Sequence, residues 1–240
     1  DLPYDIPNIL VENGEAEAHV RIGWVRSVNN INHAFAICSF VDELAHAAGR
    51  DPSDYLMELI GEERFNDVSG ETGGDQSNYG RDIKDYPQDT GRMVNVIKIA
   101  RENSGWGKLM PKGKGMGIAF HRSFLTYVAC VVEVVVDDDN NVKVENVNYA
   151  IDCGQAINTD RIKAQFEGGA IYAMSCAMNG KITAENGVII QGNFNDFEVS
   201  RIDAAPEVHV HIVDSDAAPT GVGEPPVPPF APALMNAIFS

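Results

Sequence analysis

The sequence predicts an α+β fold, mixed sheets with packed helices, on three observations. Several stretches carry apolar residues at steps of three and four, the helical period. Others alternate apolar and polar residues or run apolar throughout, as strands do. The two kinds of segment are mixed along the chain without the regular strand-helix-strand order that a wholly parallel sheet requires. With 240 residues, of which 44% are hydrophobic and 22% charged, the chain is long enough for one large domain or two small ones with a real core.

Residues 1–28 read as extended, "AHVRIGWVRSV" alternating like a strand. From Ile31, the positions Ala34, Phe35, Cys38, Val41, Leu44, Ala45 and Ala48 mark an amphipathic helix, with Asn29 or Asn30 as cap and Gly49 as stop. A shorter helix, "DPSDYLMELIG", starts at Pro52. Residues 66–90 are polar and Gly-rich and read as a loop or linker between a first segment, 1–65, and a carboxyl-terminal lobe, 91–240. A third helix over 91–103 rests on Met93, Val94, Ile97 and Ala100. In "GWGKLMPKGKGMGIAF" only Ile118 and Phe120 are expected to begin a strand. "FLTYVACVVEVVVD" and "NVKVENVNYAID" form a hairpin turning at "DDNN", and the unbroken apolar run of the first implies cover on both faces. Residues 158–180 make a helix capped by Asn158 or Thr159, whose Gly168–Gly169 pair costs about 1 kcal/mol per glycine and so points to a neighbour in close approach. A hairpin at Asn186–Gly187, the strand "PEVHVHIVDS" and a last helix from Ala231 complete the list.

A formal net charge of −17, from 35 acidic and 18 basic residues, argues against nucleic acid or an anionic membrane as partner. The longest apolar run, residues 127–136, contains Glu133 and is far short of the roughly 20 residues of a spanning helix, so no membrane span is expected. The N-terminus has neither a basic start followed by an apolar stretch nor an initiator Met; it reads as processed, trimmed or part of something longer, and the compartment, cytoplasmic or periplasmic, stays open. Cys38, Cys130, Cys153 and Cys176 lie far apart in apolar contexts, as buried reduced thiols do, which leaves no cysteine set for an iron-sulfur cluster on this chain.

The residue best placed for chemistry is Glu224 in "TGVGEPPVPPFAP". Gly221 and Gly223, around Val222, leave room for a bulky group against the backbone, and Pro225 holds Glu224 extended. Val227, Pro228, Phe230 and Pro232 would exclude water and raise its pKa, as a general base requires. The plainer alternative is a loop carboxylate facing a helix N-terminus. Arg26 stands where a strand is expected to hand over to a helix, a place suited to an anion. Gln165, near Glu167 and the glycine pair, has an amide able to donate to a cofactor oxygen. "GKGMG" lacks phosphate-loop spacing. His209 and His211 share a strand face without a third ligand, and His33, His46 and His121 carry no spacing signal, so no metal ligand is assigned.

Four segments in order, "GWVRSVNNINHAFAICSFVDELA", "GKGMGIAFHRSFLTYVACVVEV", "IDCGQAINTDRIKAQFEGG" and the stretch from "GNFNDFEVSRIDAAPEVHVHIVDSD" to "GVGEPPVPPFAPALMNAIF", resemble the molybdopterin-binding large subunit of the molybdenum hydroxylases, the xanthine dehydrogenase and aldehyde oxidase superfamily. The nearest likeness is to the isoquinoline 1-oxidoreductase beta-subunit type, over most of residues 20–240, and it implies the fold of the molybdenum-cofactor-binding domain. By this resemblance Glu224 is the active-site base, which takes a proton so that a water-derived oxygen attacks an electron-poor carbon of an N-heterocycle or aldehyde. Gln165 reaches the pterin; Arg26 and Ser27 belong to the loop passing the molybdenum; Gly221, Val222 and Gly223 line the cofactor. The implied cofactor is a molybdenum-pterin, as molybdopterin or its cytosine dinucleotide form.

Two departures qualify the resemblance. The xanthine dehydrogenase form has Arg-Gly-Phe-Gly where this chain has "RSVN", which puts purine specificity in doubt, and the family's Gly-Gln-Gly segment is absent. The chain therefore reads as the carboxyl-terminal portion of such a subunit, paired with a chain that carries the rest. The further partners implied are a small 2Fe-2S subunit bearing the iron-sulfur clusters, a flavin or cytochrome subunit accepting electrons, and a small-molecule substrate. Aldehyde dehydrogenation on the same fold, and a non-catalytic assembly or binding subunit, are the competing readings; a carboxylate-dependent hydrolase would need Asp196 or Asp214 opposite Glu224.

Overall fold

The computed structural model describes residues 2–12, 14–66 and 77–240. Residues 67–76 of the expected linker lie outside the described residues. The elements run α1 Asn30–Ala47, α2 Pro52–Ile60, β1 Phe65–Asn66, β2 Gln88–Asp89, α3 Thr90–Ser104, β3 Lys114–Ser123, β4 Thr126–Val136, β5 Val142–Asp152, α4 Thr159–Met178, β6 Ala184–Glu185, β7 Val188–Ile189, β8 Glu207–Ile212 and α5 Phe230–Phe239, with short 3-10 turns at Ser77–Gly80 and Ile202–Ala204.

The centre is a four-stranded sheet ordered β3-β4-β5-β8. β3, β4 and β5 are antiparallel neighbours, and β5 pairs in parallel with β8. On β4, Val128, Cys130, Val132 and Val134 pack toward α4 and α5, while Tyr127, Ala129 and Val131 pack toward α2 and α3. Both faces of β4 are thus covered, which is why its sequence is apolar almost without interruption. Each fully buried valine there contributes roughly 1.5–3 kcal/mol of burial free energy. α1 joins the two layers, with Cys38 in one apolar cluster and Val41 in the other.

Local chemistry sets most boundaries. Asp51 caps α2 by accepting from the Asp54 N–H, Asp89 caps α3 through the Gly91 and Arg92 N–H groups, and Asn158 caps α4 through the Arg161 N–H, each meeting a helix-end donor that lacks an intrahelical partner. Asp137 accepts from the Asp139 and Asn141 N–H groups and closes the β4–β5 turn. Asn186 (φ 49°) and Gly187 (φ 80°) make the tight β6–β7 turn.

Four expectations need correction. Residues 19–25 form no strand: Ile22 and Trp24 are exposed and nothing among the described residues pairs with their backbone. β3 begins at Lys114, four residues before Ile118, because Gly115 and Gly117 let α5 lie directly on the strand. A Cβ on Gly117 would stand 2.8 Å from the Asn236 carbonyl carbon, and the Asn236 amide instead donates to the Ile118 carbonyl at 3.1 Å. The β5-to-β8 connection through α4 is a parallel crossover, although the sequence shows no repeated strand-helix-strand order. Asn29 stands at the N-cap position of α1 as expected, but its side chain makes no capping hydrogen bond, and the Asn30 amide reaches back to the Ser27 carbonyl.

Candidate functional site

Three pieces of chain far apart in sequence meet at one end of the sheet. The first is the turn before α1, where the Val28 N–H donates to the Val25 carbonyl at 2.9 Å and both Ser27 (φ 79°) and Val28 (φ 53°) hold left-handed backbone. Such a conformation costs a non-glycine residue about 1 kcal/mol or more and persists only where its surroundings fix it. Ser27 is fully buried. Its N–H donates to Glu224 Oε1 at 2.9 Å and its hydroxyl to the Glu224 carbonyl at 2.6 Å.

The second piece is the segment 217–226. The Thr126 hydroxyl donates to the Gly221 carbonyl at 2.6 Å, the Thr220 N–H donates to the Cys153 carbonyl at 2.9 Å, and the Gly221 N–H donates to the Phe124 carbonyl at 3.3 Å. The loop therefore rides on the β3–β4 turn and the end of β5. Beyond it, the Tyr149 hydroxyl donates to the Pro226 carbonyl at 2.9 Å, and Val227 and Phe230 are buried in the core. The third piece is α4, with Gln165 exposed on its outer face and Phe166 packed edge-on against Tyr149 at 5.2 Å.

Arg26 ties the three together. Its Nε donates to the Gly223 carbonyl at 2.7 Å, and a terminal nitrogen donates to the Gln165 carbonyl at 3.0 Å, to Gln165 Oε1 at 3.1 Å and again to Gly223. Burial pulls the guanidinium below its ordinary value, while Tyr149, Glu224 and Tyr172 act in the opposite direction. Gly169 is where Pro226 approaches: a Cβ there would stand 2.9 Å from Pro226 Cβ and 3.4 Å from the Arg26 guanidinium. Gly168 faces open space. The close approach expected at the glycine pair belongs to the second glycine alone.

Arg26, Ser27, Gln165, Gly223 and Glu224 are thus one hydrogen-bonded group, with Gly221 and half-buried Val222 in its supporting loop. Within it, the Gln165 amide nitrogen and Glu224 Oε2 make no hydrogen bond among the described residues, and open space lies beside Gly168, three positions along α4 from Gln165. His209 and His211 stand apart on β8; His209 lies 3.6 Å from Glu207, and His211 lies 3.4 Å from the Asn148 amide oxygen. No cluster of three or more metal-ligating residues occurs among the described residues. Thr126, Tyr149, Pro226 and Asn30, all structural supports of the site, carried no sequence signal of that role.

A model of one protein family, described as the molybdopterin cofactor-binding domain, matches residues 97–206. That span includes Gln165 and the Gly168–Gly169 pair; Arg26, Ser27 and Glu224 lie outside it. The chain is 30% identical over 239 residues to the membrane-bound aldehyde dehydrogenase (pyrroloquinoline-quinone) of Gluconacetobacter polyoxogenes, covering 96% of this chain and 29% of that protein. It is 26% identical over 238 residues to isoquinoline 1-oxidoreductase subunit beta of Brevundimonas diminuta, covering 98% of this chain and 27% of that subunit. Among solved structures, the aldehyde oxidoreductase of Desulfovibrio gigas superposes with a TM-score of 0.67 at 13% identity, over 90% of this chain and 39% of that one, which establishes a shared fold. The chain spans under a third of the length of the two curated relatives. No helix among the described residues is long and apolar enough to cross a membrane.

The site's donor set suits the cofactor that defines the domain. A pterin edge presents both donors and acceptors, which an exposed carboxamide such as Gln165 can meet. Gly168, exposed and with nothing within 4 Å of where its Cβ would stand, leaves the α4 backbone uncovered on that side.

Proposed function

We propose that this chain is part of the molybdenum-bearing subunit of an oxidoreductase that hydroxylates an electron-poor carbon of an N-heterocycle or aldehyde, with water as the oxygen source. The observation that carries the reading is the convergence of Glu224, Arg26–Ser27 and Gln165 on one open face of a molybdopterin cofactor-binding fold. The relatives' names supply the substrate classes, an aldehyde and isoquinoline. When bound, the molybdenum cofactor supplies oxygen-transfer and two-electron redox chemistry.

The chain's own residues do the rest. The Ser27 N–H holds one carboxylate oxygen of Glu224 and leaves the other to accept a proton. The Ser27 hydroxyl fixes the Glu224 carbonyl, and the buried Pro225–Pro226 pair restricts the backbone that follows. Arg26 clamps Gly223 to Gln165, so the base and the cofactor-facing amide keep a fixed spacing. Gly221, Val222 and Gly223 line the cofactor in this reading. The remaining portion of the subunit, a small 2Fe-2S protein and a flavin or cytochrome acceptor complete the proposed assembly.

One relative is named for pyrroloquinoline quinone, so the cofactor itself is the first thing to measure. Metal and cofactor analysis of the native complex containing this chain, resolved by mass into subunits, should find molybdenum and pterin in roughly equimolar amount with the chain, together with iron. Quinone with no molybdenum would overturn the reading.

A further inference from the structure

The Ser27 turn has an anchor on the side away from Glu224. The Asn30 side-chain nitrogen donates to the Ser27 carbonyl at 3.1 Å, and the Asn30 backbone N–H donates to the same oxygen at 3.0 Å. A carbonyl only accepts, so the Asn30 amide is oriented with its NH2 toward Ser27 and its Oδ1 the other way. Oδ1 lies 3.1 Å from His121 Nε2 on β3, and the Tyr79 hydroxyl reaches it at 3.4 Å. Because Oδ1 is an acceptor, His121 must carry its proton on Nε2, which fixes the tautomer. A continuous relay then runs from the sheet through His121, Asn30 and Ser27 to the Glu224 carboxylate, each link within 3.1 Å.

We propose that Asn30, backed by His121, is a positioning residue that fixes the Ser27 turn and through it the direction of the Glu224 carboxylate. Ser27 needs such a tether, since its left-handed backbone (φ 79°) is not one a serine keeps unaided. Tethering by a side chain rooted in β3 adds the rigidity of the sheet to the hydrogen bonds that Arg26 and Ser27 already make to Gly223 and Glu224. The proposal rests on the reading of Glu224 as the base, and its test separates the two.

In the complete enzyme, Asn30→Leu, His121→Leu, His121→Gln and Glu224→Gln are compared by turnover of benzaldehyde and isoquinoline with ferricyanide, by molybdenum content, and by amide hydrogen exchange of the peptide spanning 24–30. Asn30→Leu should lower kcat by about 10- to 100-fold with KM nearly unchanged, the size of effect seen when a group supporting a functional ligand is lost. Molybdenum content should hold, and the 24–30 peptide should exchange at least about tenfold faster than in the parent. His121→Gln places an amide donor near the position of Nε2 and should retain activity; His121→Leu should resemble Asn30→Leu. Parent-like exchange and kcat in Asn30→Leu, or equal loss in His121→Gln and His121→Leu, would overturn the tether. If Glu224→Gln leaves turnover intact, the catalytic reading fails, and the tether is then decided by the exchange rates of Asn30→Leu alone.

Discussion

Ser27 shows how much of this site is held by single backbone and hydroxyl donors. Ser27→Ala would remove one of the two donors to the part-buried Glu224 carbonyl, leaving the Val227 N–H at 3.1 Å, a loss of about 0.5–1.5 kcal/mol, measurable as a lower urea midpoint with an unchanged slope. His121 gives a pH signature. Burial first, then the neighbouring charges of His33 and Arg122, push its ring from 6.5 down to about 3. The unfolded state therefore binds more protons between those values, so stability is present above about pH 6.5 and is lost as pH falls toward 3. His121→Gln should lose less stability than the parent between about pH 7 and about pH 4.5 in urea titrations; equal losses would contradict the assignment. Glu224 could be picked out in the sequence because Gly223 and Pro225 flank it, Gln165 because its amide stands near the Gly168–Gly169 pair, and Arg26 because it precedes an evident helix. Asn30 and His121 could not, because 91 positions separate them and only the fold brings an ordinary helix-start asparagine against an ordinary strand histidine.

At the scale of elements, the two glycines of α4 make opposite predictions. Gly168→Ala meets open space and should raise the melting temperature through helix propensity, by up to about 1 kcal/mol. Gly169→Ala drives a methyl into Pro226 and toward Arg26, so thermal unfolding should show a loss of roughly 1–3 kcal/mol and turnover should fall with it. Equal effects at both positions would mean that Pro226 does not seat on α4. The elements α1 to α4, β4, β5 and β8 were legible from apolar spacing or, in β4, from an unbroken apolar run, and at α4 the expected Asn158 cap agreed with the period. The failures have physical reasons. Gly115 and Gly117 looked like loop residues because contact with a helix backbone leaves no mark in a glycine's identity. The alternation of residues 19–25 suggested a strand, but alternation alone supplies no partner edge. Parallel pairing of β5 with β8 depends on where α4 docks, information spread over the whole core.

The whole molecule is a sheet between two helical layers, with its candidate site at the edge where the α1 turn, α4 and the 217–226 loop meet. Several large apolar side chains remain exposed, among them Trp24 (89%), Ile157 (75%) and Leu109 (100%). Together with the chain's span of under a third of its curated relatives, this underlies the proposal that another portion of the subunit completes the site. Expressed by itself, the chain should carry no molybdenum; a stable molybdenum-loaded monomer by native mass spectrometry would contradict that proposal. The central claim, that the carboxylate fixed by Ser27 is the base beside a molybdenum-pterin, is tested most directly by Glu224→Gln in the complete enzyme. The account predicts parent-like molybdenum and pterin content with kcat for aldehyde or isoquinoline reduced by about 10²- to 10⁴-fold. Unaltered turnover in a fully loaded Glu224→Gln enzyme would contradict it.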